Sequence, residues 1–563
     1  MMMEIEEDSN LNTINENNEN YIKKVFNIEL LSHLITSFLE RKEKKEFYSV
    51  NKKINCFFRN TIKEIKSQKI LKSPEIIERF PYLKKIEICG RKSVDFNFLK
   101  KKELKNLENL KLKEVSVRDT STLSGLTNLK TLNLITNKIT DISFIKNFPK
   151  LSILGIGNNK IQDLSYLVNL SCLKSLSLQQ CGLTDLQILN HNNFKNLEKL
   201  FIGNNFITNY SFLQNLQNLN TLNLYHNNLN SIEFLFQLNT EKMLDLNIGE
   251  NKINDYSPLL QFPNLIKLNL YNNNLYNINF LNENEICFQK LESIDIGNNK
   301  DIKDFIPLTK LKKLKKINLF NCKLYDIYFL LKENYESFEY IELGNNKEID
   351  DFSILSFFNN LQYLSLDSDC LTDMSWLNYC EFGNSLIELD LGNIIKNAYV
   401  PDVLKKFTNL KILNLSKWML NNISFLNWDS FSHLEKLNLS YNHIEDASSI
   451  SSLKKLKYLN LKNNNIVDII FLNNILDIEE LYLENNKIKD FSLVLKLEKL
   501  EIINIKNQKL LLKDINSEEN IEKRNCCCHL TINENEKKYF YYIIDEIKKK
   551  VPKCLSSQQN LDS

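Results

Sequence analysis

The stretch Leu129-Lys130-Thr131-Leu132-Asn133-Leu134-Ile135-Thr136-Asn137-Lys138-Ile139-Thr140-Asp141-Ile142-Ser143 decides the architecture, because its pattern returns along most of the chain. Written L-x-x-L-x-L-x-x-N-x-I/L-x-D-I/L-S, it restarts at Leu151, Leu173, Leu197, Leu219, Met243, Leu265, Leu291 and Leu314, then at Phe338, Leu361, Leu386, Leu410, Leu434, Leu456, Ile478 and Leu500. Earlier members begin at Leu83 and Leu107 and a degenerate last one at Cys527, giving about twenty units spaced by 22 to 27 residues. A period in this range marks stacked coils, each one supersecondary unit. Leu132 and Leu134 alternate as a short strand requires, and Leu129 and Ile139 close the coil beneath it. One coil cannot bury its apolar side alone, so its two neighbours supply the core. A globular core usually stops growing at roughly 250–300 residues; a chain of 563 residues escapes that limit by repetition.

The recurring spacing gives each polar residue a position. The recurrent Asn (Asn137, Asn159, Asn205, Asn227, Asn251, Asn273, Asn299, Asn346, Asn442, Asn464, Asn486) points inward where the chain leaves the strand. Its amide can pair with backbone groups of its own and adjacent coils that would otherwise be buried alone. Cys181 and Cys322 occupy the same slot and read as structural thiols. The Asp after the turn (Asp141, Asp163, Asp185, Asp255, Asp326, Asp373, Asp468, Asp490) suits the cap of a short helical or 3₁₀ turn on the convex side.

A longer period lies over the first. Six of the eleven glycines, Gly157, Gly203, Gly249, Gly297, Gly344 and Gly392, fall directly after the strand in alternate coils. The coils between them carry Gln179, Tyr225, Tyr271, Phe320, Asp367 and Ser416 there. Two readings follow: duplication of a two-coil unit combined with the turn geometry that glycine permits, or an aromatic stripe of Tyr225, Tyr271 and Phe320 along the concave rim. Outward strand positions include Lys199, Asp245, Lys267, Asp295, Lys316, Tyr340, Glu342, Tyr363, Glu388 and Asp390. Aromatic anchors amid mixed charge suit a protein-binding surface. Because Asp295 to Asp390 leans acidic, the partner expected there is basic.

The motif resembles the 22-residue leucine-rich-repeat class, shared by a protein phosphatase 1 regulatory subunit and bacterial internalins. The resemblance covers roughly residues 83–535. It implies an α/β repeat solenoid, a curved arc whose concave parallel sheet of about twenty strands is on the order of 95 Å long, with short helical or 3₁₀ turns on the convex side. Such proteins bind many different partners, so the fold alone does not choose a ligand.

Residues 23–75 do not fit the repeat. Leu30, Leu31, Leu34, Phe38 and Leu39 share a helical face, and Phe47, Val50, Ile54 and Phe57 make another. The run Ile28–Leu39, followed by Val50-Asn51-Lys52, resembles an F-box, with Asn27 where Pro is typical and Lys44 in place of an apolar residue. That resemblance implies a substrate receptor of a Skp–cullin–F-box ubiquitin ligase, with Leu30, Leu31, Leu34, Phe38, Leu39 and Val50 docking the Skp-type adaptor. The alternative is a helical cap over the first strand's edge, which a solenoid needs. At the other end, residues 536–554 read as a capping helix stopped by Pro552. Residues 1–22 and 555–563 read as disordered tails.

Bulk properties exclude several classes. A net charge of +2 gives no general attraction to nucleic acid or an anionic membrane. The acidic, Asn-rich start lacks the basic and apolar regions of a secretory signal, and no run of about 18 apolar residues suggests a membrane span. The mostly isolated cysteines suit reduced thiols, so a cytoplasmic, or alternatively nuclear, monomer is expected. Cys526-Cys527-Cys528-His529 lacks the C-x₂₋₄-C spacing of structural zinc sites. No phosphate loop, dinucleotide fingerprint, H-E-x-x-H or G-x-S-x-G occurs. The expectation is a non-enzymatic scaffold without cofactor or metal. It would act as a ligase substrate receptor, a phosphatase-regulator-like scaffold, or a structural and cytoskeletal organiser.

Overall fold

The computed structural model describes residues 64–66, 83–89, 96–100, 102–284, 286–331, 337–367, 374–393, 402–500, 502–505 and 553–555. Nineteen consecutive strands run from Lys85–Cys89 to Ile502–Asn504, each pairing in parallel with the next in the chain. Most are three residues long because the sequence alternates apolar and polar only briefly before the turn. The register stacks like on like: Leu132 pairs with Leu154, Leu200 with Leu222, and Leu268 with Ile294. The leucines therefore form continuous ladders, and Leu132, Leu134, Leu200 and Leu222 are fully buried.

The back of each coil is a 3₁₀ turn, such as Ser143–Asn147, Ser165–Asn169 and Ser257–Gln261. Among the described residues no α-helix occurs, so the convex elements are 3₁₀ turns alone. The expected aspartates start them: Asp141 accepts from the Ser143 N–H at 2.7 Å, Asp255 from Ser257 at 2.9 Å, and Asp490 from Ser492 at 2.8 Å. Asp373 lies outside the described residues. Behind the turns stands an aromatic layer the repeat pattern did not include. Phe148, Phe194, Phe262, Phe288, Phe358, Phe407 and Phe431 are fully buried there, filling the width that leucine leaves.

Two strands fall where helical caps are expected from the sequence. Glu64–Lys66, within the segment 23–75, pairs with Lys85–Glu87, and Lys553–Leu555, at the end of the segment 536–554, pairs with Ile502–Asn504. A parallel sheet leaves a row of unpaired N–H and C=O groups at either end. A strand satisfies those groups, whereas a helix laid across the end only covers them. The rest of both segments, including Leu30, Leu31, Leu34, Phe38, Leu39, Val50 and the coil expected at Cys527, lies outside the described residues. Among the described residues, no helix is long and apolar enough to cross a membrane.

Candidate functional site on the open sheet face

In each coil three side chains point away from the core, at the positions of Thr131, Asn133 and Ile135. Stacking turns them into three columns along the open face of the sheet. All eight face residues expected from the sequence lie on these columns, within eight consecutive strands from Thr221–Asn223 to Glu388–Asp390. Tyr340 and Tyr363 stand in the first column, Asp295, Glu342 and Asp390 in the second, and Tyr225, Tyr271 and Phe320 in the third.

At all six alternating glycines an added Cβ would lie 2.6–3.0 Å from an oxygen or nitrogen atom, and at three of them an aromatic ring of the third column closes in as well. A Cβ added to Gly249 would lie 3.2 Å from Cδ2 of Tyr225; at Gly297 it would lie 3.1 Å from Cδ2 of Tyr271, and at Gly344 3.2 Å from Cδ2 of Phe320. Each ring therefore leans over the glycine of the next coil, and all three rings stay half-buried. Turn geometry is not the reason for these glycines, because none of the six has a positive φ. The left-handed residue is the following one: Asn158, Asn204, Glu250, Asn298, Asn345 and Asn393 have φ between 51° and 59°. Asparagine tolerates that conformation best among non-glycine residues.

The second column reveals an asparagine pattern absent from the sequence reading. Asn223 accepts from the Tyr225 N–H at 3.1 Å, Asn247 from Gly249 at 3.1 Å, and Asn318 from Phe320 at 2.9 Å. Each side chain thus caps the backbone donor freed when the strand ends. Asp295, Glu342 and Asp390 make the same bond, to Gly297 at 3.1 Å, Gly344 at 2.8 Å and Gly392 at 2.9 Å. The recurring N-x-G/Y/F and D/E-x-G spacing was the available signal.

Replacing an amide by a carboxylate at this column has an electrostatic cost. Burial pushes the Asp295 carboxyl up to about 6, and burial also raises Glu342 and Asp390 above the ordinary carboxylate range. The partners that hold them are neutral: Asn269 donates to Asp295 at 3.1 Å, Asn414 to Asp390 at 2.8 Å, and the Tyr363 hydroxyl to Glu342 at 2.7 Å. Tyr363 in turn stacks on Tyr340, with ring centroids 3.9 Å apart and planes 9° from parallel. Between Lys316 and Lys436 the three columns carry Glu342, Asp367, Glu388 and Asp390 and no cation. Outside that stretch the first column carries Lys199, Lys267, Lys316 and Lys436, and further lysines stand just before the strands, as in Lys84 and Lys130 flanking Glu108 or Lys174 on Glu198.

Beneath the face, the inward Asn column behaves as its position requires. Asn205 donates to Leu178 O and Ile202 O, both at 2.9 Å, and accepts from the Cys181 and Leu183 N–H groups at 3.1 and 3.0 Å. Cys322 fills the slot with Sγ 3.3 Å from Ile296 O. Trp418 also fills it, fully buried, with its indole N–H donating to Leu391 O.

Residues 432–474 match the family model described as Leucine Rich repeats (2 copies), and the stacked coils form a leucine-rich-repeat solenoid. Among solved structures, an internalin from Listeria monocytogenes is 23% identical, over 73% of this chain and 91% of that one, with a TM-score of 0.27. A leucine-rich-repeat protein of Leptospira interrogans is 21% identical, over 78% and 94%, with a TM-score of 0.34. The TLR13–ssRNA13 complex gives 22%, 76%, 70% and 0.44. No curated protein sequence matches the chain.

Proposed function

We propose that the protein is a binding scaffold whose open sheet face, from Tyr225 to Asp390, holds a protein partner bearing basic groups. The observation that carries this reading is the set of carboxylates at Asp295, Glu342 and Asp390, desolvated near the stacked Tyr340 and Tyr363, with no cation on the three columns between Lys316 and Lys436. Nine of the nineteen strands place a neutral Asn there, so the acids are costly where they stand, and a cationic partner would offset that cost. Affinity purification from native cells with the full chain tests it. A partner recovered by the wild type should be lost with Tyr340→Ala/Tyr363→Ala, and undiminished recovery would count against this face.

The sequence of residues 28–52 favours one setting for such a scaffold, the substrate receptor of a Skp–cullin–F-box ligase. Co-purification of a Skp-type protein, lost in Leu31→Asp/Leu34→Asp, is the expected outcome. Its absence would leave the binding scaffold without a ligase role.

A further inference from the structure

The aromatic shelves and the acids share one period. Tyr225, Tyr271 and Phe320 recur every second strand, and so do Asp295, Glu342 and Asp390. Neighbouring strands are about 4.7–4.9 Å apart, so both series repeat every ~9.4–9.8 Å along the sheet. They coincide over two repeats, where Asp295 caps the glycine beneath Tyr271 and Glu342 the glycine beneath Phe320; Asn247 caps the glycine beneath Tyr225, and Asp390 stands one repeat beyond the last ring-and-acid pair.

A ligand running along the solenoid meets one ring and one carboxylate per repeat only if its own period agrees. An extended strand returns the same face about every 6.6–6.8 Å, and an α-helix about every 5.4 Å, or 10.8 Å for two turns. The strand misses by about 3 Å at the first repeat, and the two-turn helix drifts by about 1.0–1.4 Å per repeat, or about 2–3 Å over the three rings. A polyproline II helix has three residues per turn and a rise of about 3.1 Å, hence ~9.3 Å per turn. Its backbone forms no internal hydrogen bonds, and aromatic shelves are the surfaces on which proline rings pack.

Resting on the reading of this face as protein-binding, we propose that its occupant is a polyproline II segment with proline and a basic residue recurring every third position. Each proline would pack on a shelf of Tyr225, Tyr271 or Phe320, and each basic side chain would reach Asp295, Glu342 or Asp390. The eight strands concerned span about 33–34 Å, the length of roughly eleven such residues.

The test is fluorescence anisotropy of labelled (Pro-Pro-Lys)4 titrated with the full chain, beside (Gly-Ser-Lys)4 of equal charge and spacing. The proline peptide should bind at least about tenfold more tightly. Tyr271→Ala/Phe320→Ala should abolish that preference, and Tyr271→Phe should keep it. Equal binding of the two peptides, or a preference untouched by loss of the rings, overturns the proposal. So does ring-dependent binding of cellohexaose or a single-stranded RNA with no binding of the peptide. Should the double alanine variant fail to fold, Asp295→Asn/Asp390→Asn supplies a second arm, since Asn already serves that column. It should weaken (Pro-Pro-Lys)4 about tenfold while sparing dodecaproline, and unchanged affinity for the basic peptide refutes the proposal. Failure here with the Tyr340/Tyr363 partner intact would leave the scaffold reading standing and remove only the ligand class.

Discussion

Where the slot holds asparagine, a single carboxamide satisfies backbone groups of two coils. Asn205 is 2% exposed and pairs with groups of two coils. Asn205→Ala leaves those backbone groups unpaired and should lower stability by about 1–3 kcal/mol, read as a shift in denaturant midpoint. Asp295 acts in the opposite sense. Its carboxyl stands at about 6 in the folded chain against an ordinary 3.8. Between those values the folded chain holds a proton the unfolded chain has released, so stability falls as pH rises through that window. Asp295→Asn keeps the bond to Gly297 and should stabilise by about 1–3 kcal/mol at pH 7, with the gain vanishing below about pH 4. A variant whose unfolding tracks the wild type at both pH values would show that the site imposes no such cost. A residue that weakens the fold where its column's usual amide would strengthen it marks a position kept for another reason.

The two-coil unit is the element that the primary structure and the coordinates describe together. The leucine ladder, the inward Asn and the capping Asp were all legible, because each is a fixed residue type at a fixed offset. So was the alternation of glycine with Tyr225, Tyr271 and Phe320, although its cause was not: only the coordinates show each ring over the next glycine. Trp418 in the Asn slot was illegible because its indole N–H replaces an amide in role and not in type. The buried phenylalanines stand at a fixed place, three residues before the first leucine of the next coil, but the residue type there is not fixed: Leu126, Leu170, Leu216 and Leu453 fill it in other coils, which hides the layer in the sequence. The pairing of rings with glycines gives a prediction for deletions. Removing residues 219–264 takes out two coils and keeps Gly203 followed by the coil of Tyr271, so cooperative thermal unfolding should persist. Removing residues 243–264 alone sets the Tyr225 ring against Tyr271 in place of Gly249, and the unfolding midpoint should drop clearly below that of the longer deletion. Equal midpoints would mean that ring and glycine are not coupled.

At the scale of the whole chain, stability is a sum over neighbouring coils, without one central core. The nineteen consecutive strands give every interior coil two partners and the outermost coils a short strand each, at Glu64–Lys66 and Lys553–Leu555. The site was legible as a face and a sign of charge, since both follow from alternation and composition. Its common period was not, because strand spacing is a property of the stacked molecule and of no single segment.

The inward asparagines also give the stack a direction. Asn205 accepts from Cys181 and Leu183, Asn251 from Asn227 and Leu229, and Asn299 from Asn273 and Leu275: in every case the later coil serves the earlier one. A coil emerging from the ribosome therefore carries amide hydrogens that stay bare until its successor has been synthesised. The growing chain always ends in one incomplete turn, finished by the next 22 to 27 residues, so the molecule is built to close in the order in which it is translated.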